Sequence, residues 1–180
     1  EGYEVKGHLA GKAAALLMKC LWLARLSRPD LSYAIVHLAG SISKWSRNHD
    51  VQIKRLLGHI KSTCQFGLWG AVPQSPEIPV LRLYCDADLA GDIMTCKSHS
   101  GIYLVLTSPE GDFFPLSWCS KRQTAVARST TEAEIASVNE GVFSEGIPFK
   151  QVLEILWKRP VSTELMEDNS ACLTILQTGY

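Results

Sequence analysis

The sequence lacks a charge surplus of either sign. Its 180 residues hold 18 Lys and Arg against 18 Asp and Glu, for a formal net charge of +0. A domain that grips nucleic acid by charge alone carries a basic excess, so composition argues against tight, unaided binding of a polyanion. The basic residues are local instead: Lys44, Arg47, Lys54, Arg55 and Lys61 stand against the single acid Asp50. No two of the six cysteines form a C-x-x-C pair, and the five histidines show no H-x-x-H or H-E-x-x-H spacing. A zinc site is therefore not expected. Cys20, Cys64, Cys85 and Cys172 sit in apolar runs and read as small buried hydrophobes of a reduced chain, not as a disulfide framework. The apolar run around Leu16 to Leu26 is interrupted by Lys19 and Arg25, which leaves no membrane span. There is no signal-peptide pattern, internal repeat or low-complexity tract.

What is present is a hydrophobic content of 46%, enough to bury a real core. Apolar residues at helical spacing mark three early helices. The first stripe is Ala13, Leu16, Leu17, Cys20, Leu21 and Ala24; the second is Leu31, Ala34, Ile35, Leu38, Ile42 and Trp45; the third is Ile53, Leu56, Leu57 and Ile60. Between the first two, Pro29 suits an opening helical turn and Asp30 its positive end. Residues 1–70 thus read as a small helical segment, and 71–79, with three prolines and no periodicity, as a linker.

From residue 80 the pattern changes. Strands are expected from Val80 to Asp86, where Asp86 closes the first, then from Gly101 to Thr107, Phe113 to Cys119 and Pro160 to Met166. The turn chemistry of Ser108 to Asp112 should make the second and third strands antiparallel neighbours. A helix starts at Ser129 or Thr130, where the S/T-x-x-E capping pattern occurs twice, as Ser129 with Glu132 and as Thr131 with Glu134. Gly146-Ile147-Pro148 should break or kink it. Helical spacing resumes over Phe149, Val152, Leu153 and Leu156, and a last helix begins at Ser170. The order β-β-β-α-β-α specifies an α/β domain, a mixed sheet with helices on its faces.

Three acidic motifs lie on this frame in fixed order: Y-C-D-A-D at 84–88, S-T-T-E-A-E at 129–134 and M-E-D-N-S-A at 166–171. Singly, each has an ordinary use as a turn, a first-turn acid or a helix cap. Together they stand at strand ends and a helix start, where ligand sites of such sheets collect. Converging carboxylates are what a hard divalent cation needs for phosphodiester chemistry. Periodicity does not choose between Glu132 and Glu134, which flank one apolar stripe on opposite sides.

The stretch from Leu81 to Gln177 resembles the RNase H domain of Ty/copia-type retrotransposon Pol polyproteins. The resemblance rests on Y-C-D-A-D-L-A-G-D, S-H-S-G-I-Y, L-S-W-C-S-K-R-Q, S-T-T-E-A-E-I-A-S and M-E-D-N-S-A-C-L. R-P-D-L-S-Y-A-I at 28–35 and F-G-L-W-G at 66–70 resemble the thumb and connection segment that precedes it. The resemblance implies an RNase H-like fold over 80–180, hydrolysing the RNA strand of an RNA–DNA hybrid during reverse transcription, with two Mg²⁺ ions or substituting Mn²⁺. By motif register Asp86, Glu134 and Asp168 would be the catalytic metal ligands, with Glu132, Asp88 and Glu167 structural or supporting. Lys121, Arg122 and Gln123 would be phosphate contacts or an ordinary solvated loop. The implied partners are the hybrid and the polymerase domain of the same polyprotein, in a cytoplasmic particle or the nucleus, with no membrane. The family pattern also has a fifth strand and a fourth acid on a final helix. No residue before Tyr180 takes that role, so the expected fold is C-terminally incomplete. Leu89 and Ile135 replace the family's usual Trp and Tyr. The alternative is a noncatalytic copy that binds nucleic acid through Lys54 and Arg55. An integrase fits less well, because Glu134 lies between the two aspartates instead of after them.

Overall fold

Alanine, leucine and lysine, the strongest helix formers, fill Ala10–Leu26, and helix α1 spans that stretch in the computed structural model of the chain. The structure describes residues 5–71, 79–92, 94–108 and 110–179. These divide into two units, one ending at Leu68 and one beginning at Trp69. The expected linker at 71–79 lies outside the described residues over 72–78.

In the first unit, α1 is joined by α2 (Ser32–Ala39) and α3 (Arg47–Ser62). Ala13, Leu17, Cys20 and Ala24 of α1 pack with Leu31, Ile35, Leu38, Ile53 and Leu56. Two buried charges fix the corners. The Arg28 guanidinium donates to Asp30 at 2.8 and 2.7 Å and to the carbonyl and hydroxyl of Thr63 at 3.0 and 2.8 Å, tying the α1–α2 turn to the end of α3. Asp50 accepts the His8 and Leu9 amides at 2.6 and 3.1 Å and the Trp45 indole N–H at 2.8 Å, and so caps the start of α1 from α3. Burial pushes the Asp50 carboxyl up, but these three donors outweigh it and hold its pKa below the usual carboxylate range.

The second apolar stripe does not form one helix. Alpha2 ends at Ala39, a 3₁₀ turn follows at Ile42–Lys44, and Trp45 is extended. Gly40 and Ser41 end the helix, and the indole finds its donor role on Asp50. Cys64 is exposed, not buried as its neighbours suggested, because α3 ends at Ser62.

The second unit is a four-stranded mixed sheet in the order β3-β2-β1-β4, with β1 Val80–Asp92, β2 Lys97–Thr107, β3 Phe113–Arg122 and β4 Thr163–Met166. Neighbours β1–β2 and β2–β3 are antiparallel, whereas β4 is parallel to β1. Leu81, Leu83, Cys85, Ile102, Leu104 and Leu106 form the buried face, closed by Val138, Leu153, Val161 and Cys172. This is the α/β architecture of an RNase H-like fold, as the motifs imply.

Asp86 does not close β1, which runs on to Asp92. Apolar alternation stops at Cys85, but antiparallel pairing with β2 continues through Asp86–Gly101, Ala87–Ser100 and Asp88–His99. Backbone pairing needs no apolar side chains, so the pattern under-reports the strand. For the same reason β3 reaches Arg122, placing Lys121 and Arg122 in the strand and not in a loop.

Helix α4 (Thr130–Gly141) continues into α5 (Ile147–Trp157) through a π turn at Val142–Gly146. The break or kink expected at Gly146-Ile147-Pro148 takes the form of this wider turn, in which the Ile147 amide bonds the Val142 carbonyl. Alpha6 (Ser170–Thr178) ends the described fold. No described helix is long and apolar enough to cross a membrane.

Gly141 lets α4 lie close against the sheet. A Cβ there would lie 2.7 Å from Cys85 Sγ, whereas one on Gly58 of α3 meets nothing within 4 Å. Gly141→Ala should therefore cost about 1–3 kcal/mol through overpacking. Gly58→Ala should gain up to about 1 kcal/mol from helix propensity. Denaturant unfolding of both variants checks the pair, and a neutral Gly141→Ala would contradict the close packing.

Candidate metal centre

Asp86, Glu134 and Asp168 come together: one ligand atom from each lies within 4.8 Å of the others. Asp86 is exposed midway along β1, and Asp168 is exposed two residues after β4. Glu134, on the second turn of α4, is 6% exposed. The parallel β1–β4 register, Tyr84 opposite Met166, sets the two aspartates side by side when carried on by two residues. Ser137, one helical turn after Glu134, donates to the Asp86 carbonyl at 2.8 Å and fixes α4 on β1.

The geometry resolves which glutamate belongs to the site. Ser129 Oγ accepts the Glu132 amide at 3.1 Å, and Glu132 Oε2 accepts the Arg128 amide at 2.7 Å, so Glu132 is an exposed capping residue. The second capping pattern, Thr131 with Glu134, is not used, since Glu134 points inward. Asp168 and Asn169 also divide their roles. Asn169 Oδ1 caps α6 by accepting the Cys172 amide at 2.9 Å, and Asp168 is left to the cluster.

Glu134 is the strained member. Burial, then the charges of Glu167, Asp86 and Asp168, push its pKa up to about 7, against a weak opposing pull from the Ala87 amide. Its Oε2 is buried with no hydrogen-bond partner. An unpaired buried acceptor facing two carboxylates is a poor arrangement for stability and a good one for a hard cation, whose ligands are oxygens. Burial also raises the neighbouring Cys85 thiol to about 12, so it stays protonated and apolar.

The other expected contacts are arranged differently. Lys121 Nζ pairs with Glu140 at 2.6 Å, and Arg122 pairs with Asp92 at 2.8 Å. Gln123 is built into the scaffold, donating to Ser100 Oγ at 3.0 Å and the Ala133 carbonyl at 2.9 Å. With Ser100, Asn139 and Glu140 these three residues line a cleft of about 190 Å³. Ser100 pairs with Ala87, the residue after Asp86. Lys54 and Arg55 are exposed on α3, in the other unit. Sequence reasoning missed Ser137; a serine at i+3 from Glu134 on the buried face of α4 is the signal that would have found it.

The chain is similar to the retrovirus-related Pol polyprotein from transposon RE2 of Arabidopsis thaliana, with 36% identity over 112 residues, 62% of this chain and 7% of that polyprotein. It is 33% identical over 139 residues to the Pol polyprotein from transposon TNT 1-94 of Nicotiana tabacum, covering 76% of this chain and 10% of that one. It is also 33% identical over 122 residues to secreted RxLR effector protein 161 of Plasmopara viticola, covering 67% of this chain and 79% of that protein. The chain therefore spans a tenth or less of the transposon polyproteins named here. No family model and no solved structure matches.

A carboxyl whose pKa is raised in the folded state favours folding at low pH and loses that contribution as pH rises, here from about 4.5 to about 7. Glu134→Gln, which cannot ionise, should therefore raise the thermal midpoint of metal-free protein at pH 8. The gap to the parent should close as pH falls towards the ordinary glutamate range. Melting curves in chelator at both ends check this; a lower midpoint for the variant at pH 8 would show that the glutamate is not a strained anion.

Proposed function

Because the chain belongs to the retrovirus-related Pol polyproteins of transposons, we propose that its second unit is a ribonuclease H-type nuclease that hydrolyses the RNA strand of an RNA–DNA hybrid. The observation that carries this reading is the convergence of Asp86, Glu134 and Asp168 around a buried, unpaired carboxylate oxygen. Mg²⁺ is the fitting cation, with Mn²⁺ as a substitute: the donors are all carboxylate oxygens, and the neighbouring Cys85 thiol is held protonated. Two such ions, when bound, supply the charge that activates a water and stabilises the leaving oxygen in phosphodiester hydrolysis.

The chain's own residues have separable tasks. Asp86 and Asp168 stand at the solvent-facing side, open to a phosphate, while Glu134 approaches from beneath. Glu134 has to release its proton to hold a cation, so cation binding should strengthen as pH rises through about 7. Ser137 and Gln123 hold α4 against β1 and β2, so the glutamate stays in place. Recognition of RNA would use 2′-hydroxyl contacts in the wide minor groove of the hybrid. Lys121 and Arg122, each already paired with an acid, would contribute only modest phosphate affinity, in keeping with the neutral composition. The polymerase domain of the same polyprotein is the partner this reading calls for.

The test is cleavage of a 5′-labelled RNA strand in an RNA–DNA hybrid, in Mg²⁺ and in Mn²⁺, at pH 8. Asp86→Asn and Asp168→Asn should each lose activity by on the order of 10²-fold or more. Undiminished cleavage in both variants would trace the activity to a contaminant. A folded parent inactive in both metals would leave a noncatalytic copy whose function is confined to binding.

A further inference from the structure

Beta4 runs parallel to β1 with Leu81 opposite Thr163 and Tyr84 opposite Met166. Carried on past the end of β4, that register would set Glu167 level with Cys85 and Asp168 level with Asp86. Cys85 is buried and Asp86 exposed. Asp168 converges with Asp86, while Glu167, one residue earlier, carries a buried carboxylate oxygen. Glu167 Oε1 accepts the Asn169 amide at 3.0 Å, which fixes the carboxylate. Its Oε2 is buried with no hydrogen-bond partner, and so is Oε2 of Glu134. Native structures leave few buried acceptors unpaired, and two at one place, from a strand end and a helix, call for an explanation. Among the charges acting on Glu134, that of Glu167 comes ahead of those of Asp86 and Asp168.

We propose that Glu167 is a fourth acidic member of the metal centre, a positioning residue that strengthens its hold on divalent cations from behind Glu134. This rests on the metal-binding reading of Asp86, Glu134 and Asp168. Glu167 lies outside the three converging ligands, so it acts through charge and through Glu134 rather than by direct ligation. Three carboxylates by themselves supply less negative charge than two dications carry. Glu167 adds to it from the residue next to Asp168. A purely structural role, holding the turn into α6, needs only an acceptor for the Asn169 amide. Glu167→Gln keeps that acceptor and removes the charge.

The experiment is a Mn²⁺ titration at pH 8 followed by electron paramagnetic resonance, with thermal midpoints measured in chelator. The proteins are the parent, Glu167→Gln, Glu132→Gln and Asp86→Asn. Glu167→Gln should bind Mn²⁺ on the order of tenfold more weakly, as loss of residues supporting a metal site does. Its metal-free midpoint should rise, because a negative charge facing the buried Glu134 is then removed. Glu132→Gln, at the exposed helix cap, should keep the parent's affinity. Equal Mn²⁺ affinity in parent and Glu167→Gln, with loss in Asp86→Asn, overturns the role of Glu167 and leaves the centre intact. A lower midpoint with unchanged affinity assigns Glu167 to folding alone and overturns it likewise. A parent that binds no Mn²⁺ overturns the metal reading and this proposal together.

Discussion

The approach of α4 to β1 is the contact on which the second unit depends. It brings a buried carboxylate, Glu134, to the strand that carries Asp86, against the mutual repulsion of the acids. The opposing forces are local and identifiable. Val138 buries against the apolar face of the sheet, Gly141 lets the helix backbone pass over Cys85, and Ser137 bonds the Asp86 carbonyl. Gln123 adds a tie from the end of β3 to the first turn of α4. Apolar burial at a few positions can outweigh one strained carboxylate because each fully buried side chain contributes on the order of 1.5–3 kcal/mol. The site is thus held in place by the fold and would gain from a cation, not the reverse.

Comparison of the buried charges in the two units separates scaffold from site. Arg28 has acceptors on Asp30 and Thr63, and Asp50 has three donors. Each polar side-chain atom of both has a partner, and both residues join helices that would otherwise have loose ends. Glu134 and Glu167 each keep a buried oxygen without a donor. A buried charge with partners on every atom completes a structure, whereas an unpaired buried oxygen is costly to the fold. The pKa directions agree, with Asp50 lowered by its donors and Glu134 raised by burial and neighbouring acids.

Much of this was legible in one dimension. The alternation from Val80 to Cys85 located the central strand, and the Ser129-x-x-Glu132 pattern located the start of α4. The three acids of the candidate centre were chosen by motif register and do converge. The failures have a common cause. Apolar periodicity reports burial, not hydrogen bonding, so it ended β1 at Asp86 when pairing with β2 continued to Asp92. It also merged Trp45 into the second helix, although the indole is buried by a different means, as a donor to Asp50. The break or kink signalled by Pro148, by contrast, is met by the π turn just before it.

The sequence by itself determined the order of elements, the neutral charge balance and the set of candidate acids. These depend on local propensity, spacing and composition, which are properties of neighbours along the chain. Only the tertiary structure decided that Glu134 and not Glu132 enters the cluster, that Asn169 caps while Asp168 faces the site, and that Gln123 is scaffold. It alone paired Lys121 with Glu140 and Arg122 with Asp92. Each of these is settled by where a side chain meets an element distant in sequence, and helical or strand period carries no information about that meeting.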